Sequence, residues 1–241
     1  MYKRQIWNVL QELGHRIVPA VPSLFTFNTK DERIKGLAGI ATEAHVTIKG
    51  SKLKSNGPLL ITHWGFSGPA ILKISAWGAL ELNACQYHFD CIINWIPYHS
   101  TEEIVDSLVE LKHKFPKQHP ATYAQFDLPK RLWQRLVLAS GIMETIRWAD
   151  INKKQLQELA RQLTQCTFTI KGKSTFKEEF VTAGGIDLKE VNFKTYESKK
   201  FPNLYFAGEV MNIDAITGGF NFQNAWTGGY IAAKAISSSY I

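Results

Sequence analysis

The chain has 241 residues, 45% hydrophobic and 20% charged, an ordinary globular composition that should bury a real core as one large domain or two modest ones. Its 28 basic and 21 acidic residues leave a formal charge of +7, which permits attraction to phosphates, anionic cofactors or a membrane surface and identifies none of them. Cys85, Cys91 and Cys166 form neither a CxxC pair nor zinc-type spacing, and no apolar run nears the ~18 to 20 residues that span a bilayer, so the expectation is a soluble, cytoplasmic protein without disulfides, metal or membrane contact.

In chain order, Ile6, Val9, Leu10 and Leu13 share one helical face and Gly14 follows as a stop, which predicts a short amino-terminal helix. From Arg16 to Ile48 the pattern changes to short apolar or alternating runs, "RIVPAVPSLFTFN" and "HVTIK", broken by Pro19, Pro22, Gly36 and Gly39, as strands and turns are. "GPLLITH" predicts a strand ending at His63. Ser67 is then an N-cap candidate and Pro69 lies near the first helical position of a helix over "SGPAILKISAW", after which "YHFDCIINWI" returns to β-rich composition.

Residues 101–165 differ in character. Ile104, Val105, Leu108 and Leu111 form one helical stripe, Leu132, Trp133, Leu136 and Val137 a second, and Leu156, Leu159, Ala160 and Leu163 a third, so this stretch reads as an all-helical insertion in which Trp133 and Trp148 pack between helices. "CTFTIKGK" and "EEFVTAGGI" bring strands back, "NLYFAGE" reads as a buried strand, and the tail from Asn221 to Ile236 is helical. The densest basic spots, Lys49, Lys52 and Lys54 and then Lys171, Lys173 and Lys177, read as solvated strand ends and turns rather than a nucleic-acid stripe.

The end of the chain concentrates chemistry. An apolar run closing on Ala207-Gly208-Glu209 sets a carboxylate at the carboxyl edge of a sheet, where α/β folds bind ligands. Ionised, it only accepts hydrogen bonds, and its natural partners are the hydroxyls of a ribose or ribityl chain. Gly218 and Gly219 let backbone approach a ligand, and the helix beginning near Asn221 aims free N–H groups and a positive dipole end at it. Each part alone is commonplace, a turn or a surface acid; together they suggest a ligand clamp.

These residues carry a resemblance. The stretch from Thr182 to Ala233, with "NLYFAGE" and "TGGFNFQNAWTGG", is similar to the carboxyl-terminal FAD-binding signature of the BaiN-like, aminoacetone-oxidase-type flavoproteins of the glutathione-reductase-like, two-dinucleotide-binding-domain superfamily. The likeness extends from "LGHRIVP" to the end. It implies an FAD-dependent oxidoreductase that acts by hydride transfer on a small amine or carbonyl substrate, with NAD(P)H as an electron donor it admits; the scattered basic residues add the expectation of no nucleic-acid partner. It assigns cofactor contacts to Thr195, Gly208, Glu209, Asn212, Asp214, Thr217, Gly218, Gly219, Phe220, Asn221 and Gln223. Ala215 stands where the family commonly has Gly, Asn212 where Asp is frequent and Gly228 where Thr or Ser is usual. The family's opening GxGxxG, which cradles a pyrophosphate, does not occur in this sequence, so the chain is expected to be an amino-terminally truncated member.

"THWGFSGPA", residues 62–70, is not a nucleophile elbow, because Pro69 occupies the place of the last Gly of GxSxG. His63 within it is the one catalytic candidate, as a proton carrier beside hydride transfer, against the alternative that it only fixes the turn. The fold expected is mixed α/β: residues 1–15 a remnant helix of an FAD-binding domain, 16–99 and 166–178 a β-rich, barrel-like substrate domain, 100–165 the helical insertion, and 179–241 the carboxyl-terminal FAD-binding segment. The alternatives are a non-enzymatic module that binds an anionic partner, or a catalytically inactive fragment of the flavoenzyme.

Overall fold

The computed structural model describes residues 2–174 and 181–239. In chain order it runs α1 (Tyr2–Glu12), β1 (Ile17–Ser23), β2 (Phe27–Asn28), β3 (Ala41–Ile48), β4 (Lys54–Ile61), β5 (Gly65–Ser67) and α2 (Pro69–Trp77). There follow α3 (Ala79–Ala84), β6 (His88–Asn94), α4 (Thr101–Lys114), α5 (Lys130–Ala139), α6 (Lys153–Thr164) and β7 (Cys166–Lys171). The last elements are β8 (Val181–Ile186), β9 (Val191–Asn192), β10 (Glu197–Ser198) and α7 (Phe220–Ser239). Contacts divide the chain into two units, one of residues 26–74 and 85–176, the other of residues 1–25, 75–84 and 177–241. Among the described residues no helix is long and apolar enough to cross a membrane.

The first unit is built on a six-stranded antiparallel sheet in the order β2-β5-β4-β3-β6-β7. It nearly closes on itself, because Phe27 bridges Lys173 and the Asn28 N–H donates to the Gly172 carbonyl at 3.0 Å. Alternation along the strands turns Ala44, Val46 and Ile48 of β3, Leu59 and Ile61 of β4, and Phe168 and Ile170 of β7 inward, all at most 3% exposed, as one half-buried face per strand requires. Phe66 and Phe168 meet edge to face at 4.9 Å in this interior. The expected barrel-like sheet is therefore present. The helical stretch folds with it as α4, α5 and α6, of which α4 and α6 begin with reciprocal capping boxes at Ser100/Glu103 and Asn152/Gln155. Trp133, in the stripe of α5, and Trp148, in the 3-10 turn Trp148–Asp150, are both buried.

Two local expectations change. β4 ends at Ile61, not His63. The cap of α2 is Gly68, whose carbonyl receives the N–H groups of Ile71 and Leu72 at 3.0 Å each, and not Ser67. A Cβ at Gly68 would lie 2.8 Å from the Pro58 carbonyl oxygen, so contact with β4 and a φ of +90° require glycine where a hydroxyl cap would otherwise serve.

The second unit is built on β1 and β8, paired antiparallel from Ile17↔Ile186 to Ser23↔Val181, with Met211 bridging Ile186 in parallel on the other edge of β8. Gly184 and Gly185 make this possible, since a Cβ would stand 2.5 Å from the Pro19 carbonyl oxygen at the first and 2.5 Å from that of Val210 at the second. Leu10, Ile186, Val191, Tyr196, Phe206, Met211 and Ala232 form its core. α1 stops at Gly14, φ +86°, as expected. The face it buries is that of Trp7 and Leu10, whereas Ile6, Val9 and Leu13 are 45%, 50% and 43% exposed.

"NLYFAGE" is not a buried strand. Only Tyr205 has a ladder partner, Glu197, flanked by bonds from the Ser198 N–H to the Leu204 carbonyl at 2.7 Å and from the Phe206 N–H to the Tyr196 carbonyl at 2.8 Å. Beyond Phe206 the chain turns at Gly208, φ +72°, into a 3-10 turn over Gly208–Val210. An apolar run shows that side chains avoid water; a strand also needs a neighbour for its N–H and C=O groups, and among the described residues this one has a neighbour only at Tyr205.

Candidate functional site

The carboxyl-terminal candidates do not form one cluster. Gly208 rests against the second turn of α7, where a Cβ would lie 3.7 Å from that of Ala225, so the turn bearing the half-buried Glu209 is beside the start of that helix. The turn is held from the other side by the Trp7 indole N–H, which donates to the Val210 carbonyl at 3.0 Å. α7 begins at Phe220, one residue before the expected start, and the Gln223 N–H reaches the Gly219 carbonyl at 2.8 Å. The N–H groups of the first turn before it thus have no intrahelical acceptor.

Thr217, Gly218 and Gly219 are exposed, with φ of +130° at Gly218 and +83° at Gly219. A Cβ at Gly219 would meet nothing within 4 Å, so its backbone faces open space. Asn221 locks this loop: its side-chain oxygen accepts from the Ala215 N–H and its amide donates to the Ala215 carbonyl, both at 2.9 Å. These features fit a hydroxylated, negatively polarised group: an acid to accept from hydroxyls, open glycine backbone and a helix N-terminus.

The other predicted contacts have different work or another place. Asn212 accepts from the Gly184 N–H at 3.0 Å and Asp214 from the Ser23 hydroxyl at 2.8 Å, so both pin the segment that leads into α7. Gln223 donates to Thr227 at 3.0 Å, and Phe220 is exposed. Thr195 lies with Phe193, Glu197, Tyr205, Tyr230 and Lys234 around a separate cleft of about 740 Å³. Tyr230 and Lys234 are ten or more residues into α7, about 15 Å along it, which separates Thr195 from the Gly218–Gly219 end. Phe222 and Trp226 stack with centroids 6.0 Å apart and are 68% and 69% exposed.

A partly buried polar network escaped the sequence reading. The Glu190 carboxylate accepts from His15 Nδ1 at 2.7 Å, the Arg16 N–H at 3.0 Å and Lys200 Nζ at 2.6 Å, while His15 Nε2 lies 3.2 Å from the Ser198 hydroxyl. Burial pushes the Glu190 carboxyl up, but the bonds from Lys200, His15 and Arg16 outweigh it and hold it below the usual carboxylate range. The connectivity is that of a hydrolytic triad, yet Ser198 Oγ also accepts from the Lys200 and Phe201 N–H groups at 3.0 and 2.9 Å and is buried, which fits a lock on residues 190–201 and not a nucleophile.

His63 belongs to the barrel unit. The turn around it is fixed by Thr62, whose hydroxyl accepts from the Gly65 N–H at 3.1 Å and the Trp64 N–H at 3.3 Å, and His63 is exposed. It lines a cavity of about 870 Å³ with Asn28, Lys30, Lys35, Trp64 and Lys171 among its walls. The wall formed by residues 28–36 is anchored by Arg33, which pairs with Asp31 at 2.7 Å, donates to Gln162 at 2.8 Å and to the Thr167 carbonyl at 2.5 Å, and lies 4.2 Å over the Phe168 ring. No spacing rule joins residues 31, 33, 162 and 168, so the sequence gives no sign of this anchor.

Residues 21–181 match the family described as HI0933-like protein barrel and H2TH domain. The chain is 34% identical over 233 residues to a ribosomal RNA dihydrouridine synthase of Haemophilus influenzae, covering 96% of this chain and 55% of that protein. It is 31% identical over 233 residues to the ribosomal RNA dihydrouridine synthase of Escherichia coli, covering 95% and 55%. It is 29% identical over 231 residues to a 3-dehydro-bile acid delta(4,6)-reductase of Clostridium scindens, covering 93% and 56%. The chain thus spans about half the length of the curated relatives it matches.

Proposed function

The chain belongs to the HI0933-like protein family, and from that premise we propose that it forms part of a flavin-dependent reductase that saturates a carbon–carbon double bond conjugated to a carbonyl. The observation that carries the reading is the turn of Gly208 and Glu209 resting against the second turn of α7, the helix whose amino end carries the open backbone of Gly219. FAD supplies a hydride donor and acceptor when bound. Glu209 accepts from its hydroxyls, the backbone of Gly219 allows close approach, and the first turn of α7 directs N–H groups at a negatively polarised ring edge. Trp7, Asn212, Asp214 and Asn221 act by holding that geometry.

The named reactions of the relatives have one chemistry in common. Dihydrouridine is uridine with its C5–C6 bond saturated, and that bond is conjugated to the C4 carbonyl; a delta(4,6) bond pair in a 3-oxo acid is conjugated in the same way. The carbonyl makes the far carbon electrophilic, so hydride adds there and a proton adds at the near carbon. With two of the three relatives named for RNA, the proposed substrate is uridine in RNA, in place of the small amine or carbonyl compound that the resemblance implied, and NAD(P)H is the proposed reductant. A small conjugated ketone is the second reading, favoured by the third relative.

This sequence contains no GxGxxG, so on this reading the pyrophosphate cradle is supplied by other polypeptide, and the chain alone binds flavin weakly. Joined to the portion of the Escherichia coli relative that it does not match, it should give a yellow protein that converts uridine-containing RNA with NADPH to a product two hydrogens heavier by mass spectrometry. In the same chimera Glu209→Ala should weaken FAD about ten-fold or more, as loss of charge-assisted hydrogen bonds does. A folded but colourless chimera would sink the reading.

A further inference from the structure

We propose that the barrel-unit cavity walled by Asn28, Lys30, Lys35, Trp64 and Lys171 is the docking cleft for a single-stranded segment of RNA. The proposal rests on the reading of the substrate as uridine in RNA and adds where the strand is held.

Three independent features meet there. The first is charge. Lys30, Lys35 and Lys171 line the cavity. Two arginines of α5 extend the rim, Arg131 donating to the Gly36 carbonyl and Arg135 to that of Lys35 at 3.2 Å. Of the acids in the wall, Asp31 is neutralised by Arg33 at 2.7 Å and Glu32 faces Lys35 at 3.1 Å, so the rim keeps a positive excess suited to a phosphate backbone. The second is a stacking surface, because Trp64 stands in the wall 63% exposed, and every base has a face to lay on an indole. The third is an unmet hydrogen bond: Asn28 Oδ1 is buried with no partner among the described residues in a residue that lines the cavity. The oxygen is shut off from solvent, so the N3–H donor of a uracil ring would reach it once the Asn28 side chain turns into the cavity. A cavity of about 870 Å³ is ample for one extruded nucleotide.

Phosphate contacts and base contacts separate by salt. With a fluorescein-labelled oligouridylate of about ten nucleotides, anisotropy should show binding that weakens steeply as salt rises. K30A, K35A and K171A should each flatten the slope of log affinity against log salt by about 0.7. W64A and N28A should each cost about ten-fold and leave the slope unchanged. K153A/K154A on α6, which removes two exposed cations of the same unit outside the cavity, should bind as the unaltered protein does. Circular dichroism checks that each variant is folded.

Equal weakening by the α6 pair and the cleft lysines would overturn the proposal, as would absence of salt-dependent binding at low ionic strength. The proposal and the functional reading fail separately. Oligouridylate bound in the cleft by a chimera that forms no dihydrouridine leaves the cleft standing and removes the function. Dihydrouridine formed at undiminished rate and KM by the cleft variants removes the cleft alone.

Discussion

Glu190 shows how one carboxylate can organise a segment that no pattern connects. It gathers His15, Arg16 and Lys200, residues from two ends of the chain, and the buried His15 ring is oriented by it, since an ionised carboxylate can only accept and Nδ1 must therefore carry the proton. Its carboxyl titrates below the ordinary range in the folded protein because the bonds it accepts outweigh its burial. A carboxyl with a lowered folded pKa contributes stability that is fully present above its unfolded value and disappears as pH falls through the folded one. Glu190→Gln should therefore lower unfolding free energy by about 1–2 kcal/mol near neutral pH. The gap from the unaltered protein should close as urea midpoints are followed down to about pH 3. A gap independent of pH would mean that the residue acts through packing alone.

At the scale of elements, α7 carries two adjacent glycines with opposite demands. A Cβ at Gly228 would stand 2.7 Å from Tyr196 Cε1, inside the core, whereas one at Gly229 would meet nothing within 4 Å. The Tyr196 ring thus leaves no room for a side chain at Gly228. Gly228→Ala should destabilise by about 1–3 kcal/mol through overpacking. Gly229→Ala should stabilise by about 0.5–1 kcal/mol, the helix-propensity difference. Opposite shifts of the thermal midpoint in the two variants are the expected result; shifts of the same sign would show that Tyr196 moves aside.

The same elements show what a sequence can and cannot disclose. The stripes of α4, α5 and α6 and the strand character of β3, β6 and β7 were legible because helical periods and strand composition are local properties. Gly68 as cap and the failure of "NLYFAGE" as a strand were not, because one depends on β4 pressing against it and the other on whether a neighbouring strand exists. The site shows the same division. Gly208, Glu209 and Gly219 were legible as chemistry in one short stretch, but the separation of Thr195 follows from the length of α7. Lys171, read as a solvated strand end, is one; only the fold sets it beside Lys30 and Lys35, and charge far apart in sequence cannot be summed without it.

On the scale of the whole molecule, the two units differ in how their cores are built. The barrel unit has a sheet that nearly closes on itself, carries three helices of which α4 and α6 are capped, and buries Trp95, Trp133 and Trp148 at 2% exposure or less. The other is assembled from three separate stretches of chain around a small cluster, and it leaves Ile6, Val9, Phe222, Trp226 and Tyr230 between 45% and 70% exposed. Less apolar burial means less to offset chain entropy, so in urea the second unit should unfold first. The three buried tryptophans of the barrel would report the later transition, and the second unit, whose Trp7 is 6% exposed, the earlier one. Because a ligand stabilises only the state and the unit that binds it, saturating FAD should move the earlier midpoint and leave the later one in place. A single transition reported alike by far-ultraviolet circular dichroism and tryptophan emission would show instead that the units unfold as one. FAD moving only the later midpoint would place the cofactor contacts on the barrel unit rather than at Glu209 and the start of α7.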